Sequence, residues 1–119
     1  MKTALFDPSG AALIAAVTCS NKKEGAYTVL LWKAGTNEVV REWRGNFMNS
    51  DDDSYKLPSP LKANDGRIVE ALVTVARGPC EVALTISQDG TELARVAMRV
   101  PKGAIGVTPD LFVRLEADK

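Results

Sequence analysis

Histidine is absent from the chain. No Ser-His-Asp or Cys-His arrangement can therefore be assembled from it, and neither a 2-His-1-carboxylate iron site nor a His-bearing zinc site is available within one copy. Cysteine is scarce. Cys19 and Cys80 are the two thiols present, too few without histidine for a structural zinc site. They read as buried thiols in a reducing compartment, with a disulfide as the alternative in an exported chain. An excess of either charge is also missing, since fifteen Lys plus Arg balance fifteen Asp plus Glu. A neutral chain has no general field to attract nucleic acid or anionic lipid, so neither nucleic acid nor membrane is an expected partner. Neither a phosphate loop nor a GxGxxG turn occurs. The longest apolar run, residues 11–17, is far short of the ~20 residues that cross a bilayer. Asp7, Pro8 and Gly10 interrupt the region around it, and Lys2 alone supplies a basic start, which argues against an export signal. A cytoplasmic chain is expected, with a secreted chain whose export signal has been removed as the alternative.

The chain of 119 residues is 45% hydrophobic and 25% charged. That suits one domain with one core, burying roughly 65% of the surface the unfolded chain exposes. The strongest pattern lies in residues 68–100. IVEALVTVAR, EVALTIS and TELARVAMRV are rich in β-branched residues and alternate with a period of two. With Gly78 and Pro79 as a two-residue hairpin loop, Val75 faces Val82, Val73 faces Leu84, and Ala71 faces Ile86, apolar against apolar. The next turn is expected to be a three-residue loop over 88–90, with Gly90 at positive φ. It sets Leu84 opposite Ala94, Val82 opposite Val96 and Cys80 opposite Met98, with Arg95 and Arg99 pointing outward. A two-residue loop would instead put Arg95 on the core face.

AALIAAVTC (11–19) is read as a strand. Segments 26–33 and 38–44 form a third hairpin, residues 46–66 a long connection, and LFVRLEA (111–117) a last strand. The expectation is an all-β, antiparallel two-sheet sandwich of seven or eight strands, filling residues 1–119 as one domain. A small barrel is the alternative.

Two features carry candidate chemistry. The stretch NSDDDSYKLPSP (49–60) places Asp51, Asp52 and Asp53 in a row. In an extended segment Asp51 and Asp53 point one way, and Asp65 from the turn at 64–66 is the natural third ligand for calcium, ahead of Asp89 and Asp7. The run lacks the glycine and closing glutamate of an EF-hand, and a solvated loop needs no second loop to complete it, so no cofactor is expected, with Ca²⁺ as the alternative. Trp43, Tyr55 and Phe47 are the candidate ligand-binding aromatics, able to stack on a sugar or anchor a protein unless they fill the core. The function expected is a non-enzymatic interaction module that presents loops and a sheet edge to a protein partner or a second copy. Its first alternative is a carbohydrate- or calcium-assisted ligand module using the acidic loop and these aromatics. A weaker one is a carboxylate hydrolase using Asp53 or Asp65 with Lys56.

Overall fold

A computed structural model describes residues 1–20, 25–47 and 53–118. The chain is a two-sheet β-sandwich that does not close into a barrel. The described residues form ten strands, β1 (Lys2–Phe6), β2 (Leu13–Cys19), β3 (Gly25–Trp32), β4 (Val39–Asn46), β5 (Ser54–Lys56), β6 (Ile68–Arg77), β7 (Cys80–Gln88), β8 (Thr91–Val100), β9 (Ile105–Val107) and β10 (Asp110–Ala117). A 3-10 turn, Leu61–Asn64, follows β5. One sheet runs β1-β10-β6-β3-β4, with β9 pairing to β6 beyond β10. The other runs β5-β2-β7-β8. Three strands exceed expectation: β1, which lies parallel to β10, and the three-residue β5 and β9. Among the described residues, no helix is long and apolar enough to cross a membrane.

Alternation builds the core. Val69, Ala71, Val73 and Val75 of β6, Tyr27, Val29 and Leu31 of β3, and Leu111, Val113 and Leu115 of β10 point inward from one sheet. Leu13, Ala15 and Val17 of β2 and Val82, Leu84 and Ile86 of β7 point inward from the other. Cys19 and Cys80 are both buried, in keeping with the reading of small apolar side chains.

The hairpin expected around Gly78 and Pro79 is not one. β6 and β7 belong to different sheets, and the chain crosses the sandwich between them. A Cβ on Gly78 would collide with the carbonyl of Pro101, and its amide bonds to Ala104 at 3.0 Å. The glycine permits a corner there, where a side chain would hold the two sheets apart. Val75 and Val82 thus face the same core from opposite walls instead of pairing side by side.

The β7–β8 hairpin is present, with a different register. Its loop has two residues, Asp89 (φ 51°) and Gly90 (φ 76°), both left-handed as a type I′ turn requires. A bulge follows, with Ser87 opposite Glu92 and Ile86 opposite Ala94. The extra residue, Leu93, resets the alternation, so Leu84 meets Val96, Val82 meets Met98, and Cys80 meets Val100. The bulge removes the conflict that a two-residue loop seemed to create, because Arg95 and Arg99 still face outward. The β3–β4 hairpin and the strands at β2 and β10 form as the sequence indicates.

Candidate functional site

The aromatics and one aspartate singled out in the sequence meet at the seam between β4 and β5, the facing edges of the two sheets. Trp43 stacks on Tyr55, with ring centroids 5.7 Å apart and an interplanar angle of 26°. Tyr27 lies beneath, 5.2 Å from Phe47 and 6.1 Å from Tyr55. Its hydroxyl donates to Oδ1 of Asp53 at 2.6 Å and shares a short hydrogen bond with the Tyr55 hydroxyl. Burial, then the bonds to Asp53 and Tyr55, push the Tyr27 phenol far above its ordinary range. Gly45 admits the cluster, because a Cβ there would lie 2.6 Å from Cζ of Tyr27. Phe47 and Tyr27 are buried, whereas Trp43 and Tyr55 are half-buried and offer the accessible part of the cluster.

Two of the proposed calcium ligands, Asp53 and Asp65, lie apart. Asp53 is held by Tyr27. Asp65 accepts the amide of Ala117 at 2.9 Å, beyond the end of the sheet marked by Trp32 and Ile68. Five strand residues separate that level from Tyr27, roughly 17 Å. Asp51 and Asp52 lie outside the described residues. Among the described residues, no group of three or more Asp, Glu or Cys side chains is arranged to hold a metal ion. Lys56 is exposed on β5.

A second cluster, missed in the sequence, occupies the outer face of the six-stranded sheet. Glu70 sits directly between Leu30 of β3 and Phe112 of β10, and Trp32 and Asp110 lie on the diagonals. Although Glu70 faces away from the core, it is only 8% exposed. Its Oε1 accepts the indole N–H of Trp32 at 2.8 Å. Asp110 is its diagonal neighbour on β10. Partial desolvation, then the neighbouring Glu70 carboxyl group, raise the Asp110 pKa from 3.8 to about 6. Among the described residues, no lysine or arginine forms an ion pair with either carboxyl group.

Leu30, Trp32, Ile68 and Leu72 are half-exposed around this pair, and Phe112 is 37% and Met1 76% exposed. Two clefts meet there. One of about 360 Å³ runs between Trp32, Ile68, Glu70 and Phe112. The other, of about 540 Å³, runs between Lys2, Arg95, Asp110 and Phe112. An antiparallel sheet in water normally carries polar residues on its outer face. The four-stranded sheet does so, with Thr18, Glu81, Arg95 and Arg99 outward and Arg95 paired to Glu81 at 2.9 Å.

The molecule is thus an open two-sheet sandwich whose six-stranded wall carries, on its outer face, an apolar band around Glu70 and Asp110. Compared with known protein families, curated proteins and solved structures, the chain matches none of them.

Proposed function

We propose that the protein is a non-enzymatic interaction module that docks a protein partner on the outer face of its six-stranded sheet. The observation that carries this reading is the apolar band of Leu30, Trp32, Leu72 and Phe112 surrounding Glu70 and Asp110. A contiguous apolar patch on a sandwich wall marks an interaction surface far more often than a scatter of single residues does. The two carboxyl groups give it polarity. A partner surface bearing a lysine or arginine would meet them with charge-assisted bonds, and its cation would lie against the faces of Trp32 and Phe112.

Binding is favoured over turnover on geometry. Glu70 and Asp110 are diagonal neighbours on two strands of one sheet face. They also lie on an open sheet face that does not shut out water.

The test is a panel of apolar peptides, with and without a central lysine or arginine, followed by amide chemical shifts. Expected is binding by the basic members, with shifts at residues 28–32, 68–72 and 110–112. Phe112→Asp and Glu70→Gln should abolish it. No binding anywhere in the panel, or shifts confined to other surfaces, would remove the support for this face.

A second reading rests on the half-buried Trp43–Tyr55 stack, which has the amphipathic character of a sugar-binding platform. Oligosaccharides that shift residues 43 and 53–55, and quench tryptophan emission, would favour it.

A further inference from the structure

Among the described residues, the strand β4 ends the six-stranded sheet and has a strand partner on one side, β3. Its outer edge can be read residue by residue. The amide of Phe47 bonds to the carbonyl of Gly25, directly opposite, at 3.1 Å, and the register continues through Tyr27–Gly45, Val29–Trp43 and Leu31–Arg41. Backbone groups alternate along an antiparallel strand. Arg41, Trp43 and Gly45 therefore spend their amides and carbonyls on β3, whereas Glu42 and Arg44 direct theirs to the other side. Side chains alternate as well. Glu42 and Arg44 stand on the outer face, where they pair with each other at 3.2 Å, and Trp43 turns inward to stack on Tyr55.

Edges of this kind are commonly guarded by charges of one sign, which repel a second edge. Here the signs alternate, and the order matters. Two copies of β4 placed antiparallel about a two-fold axis perpendicular to the sheet must set some residue opposite itself. With the axis at Glu42 two acids meet. With it at Arg41 or Arg44 two guanidinium groups meet. With it at Trp43, Glu42 of each copy faces Arg44 of the other. The same placement uses the outward-directed backbone groups of Glu42 and Arg44 as mutual hydrogen-bonding pairs. It brings the two Trp43 side chains together at the closely spaced, non-hydrogen-bonded position, where aromatic cross-strand pairs contribute most. Arg41 then faces Gly45 of the second copy, whose missing side chain leaves room for it.

We propose that β4 pairs antiparallel with β4 of a second copy, with Trp43 on the two-fold axis, joining two six-stranded sheets into one. This inference is separate from the docking face above: it uses the sheet edge and leaves the cleft between Trp32 and Phe112 open. The half-buried Trp43–Tyr55 stack becomes the centre of an interface, with two such stacks flanking the axis.

Charge reversal tests the register. Sedimentation velocity is run on the full chain over about 1–100 µM. The wild type should dimerise in this range. Glu42→Arg alone, or Arg44→Glu alone, sets like charges opposite each other at both related positions and should weaken the dimer about tenfold or more. An equimolar mixture of the two variants restores opposite signs at both positions and should recover the dimer. A variant that had merely lost its fold would not be rescued by mixing, so recovery reports the interface itself. A wild type monomeric at about 100 µM, single variants that dimerise as the wild type does, or a mixture that stays monomeric would each overturn the proposal.

Discussion

The indole N–H of Trp32 donates to Oε1 of Glu70 at 2.8 Å, across two neighbouring strands on the outer face of the sheet. It fixes the carboxyl group of Glu70 beside that of Asp110, whose pKa rises from 3.8 to about 6. An aspartate that binds its proton more tightly when folded adds stability below its unfolded pKa and loses that contribution as pH climbs through the folded value. Melting temperature should therefore fall between pH 4 and 7 through this group. Asp110→Asn should flatten the decline and raise the melting temperature at pH 7. An unchanged slope in the variant would show that the pair is not responsible.

Tyr27 gives the opposite end of the pH scale. Its phenol is pushed well above the ordinary 10.0 by burial, by Asp53 and by Tyr55. The unfolded chain loses that proton first, so stability is intact below pH 10 and is lost as pH rises beyond it. An ultraviolet phenolate titration should show one tyrosine that ionises only with unfolding. Tyr27→Phe should remove that phase and cost about 1–2 kcal/mol in urea unfolding at neutral pH, because Asp53 and Tyr55 lose a buried partner.

Gly45→Ala tests the packing of the same cluster. The new methyl would press on the Tyr27 ring and lie 2.9 Å from the Tyr55 hydroxyl. Overpacking of this kind costs about 1–3 kcal/mol. The Trp43 emission should also shift as the stack on Tyr55 is displaced.

Gln88, at the end of β7, ties down the link between β1 and β2. It accepts the Asp7 amide at 2.9 Å and donates to the carbonyls of Asp7 and Ala11, each at 2.8 Å. Gln88→Leu keeps the bulk and removes all three bonds. Unfolding free energy should drop by about 2–3 kcal/mol, and hydrogen exchange at the Asp7 amide should accelerate. Exchange no faster than in the wild type would mean that the loop is held by other contacts.

Alternation in IVEALVTVAR and EVALTIS was legible as facing, and the valines it marked are fully buried. It was not legible as pairing. Val75 and Val82 point into one core whether their strands are neighbours or opposite walls, since a period of two fixes which face a residue occupies and says nothing of which sheet holds it. The Trp43–Tyr55 meeting was hidden for the same reason, because it joins edges of different sheets. The Glu70 cluster did leave a signal. Ile68 and Leu72 flank Glu70 on the second face of β6, two large apolar residues where a wall facing water would carry polar ones. The fate of Asp53 left none, because its carboxyl is claimed by a tyrosine 26 positions away.

The parallel pairing of β1 with β10 has a practical bearing on any affinity handle. Met1 lines both clefts beside Phe112, so a tag fused ahead of it would hang over the proposed docking face and mask it. At the far end of the same strand pair, Asp118 bonds back to Phe6. A handle appended there would leave the opposite end of the sheet, and baits built that way are the ones suited to testing the proposed docking face.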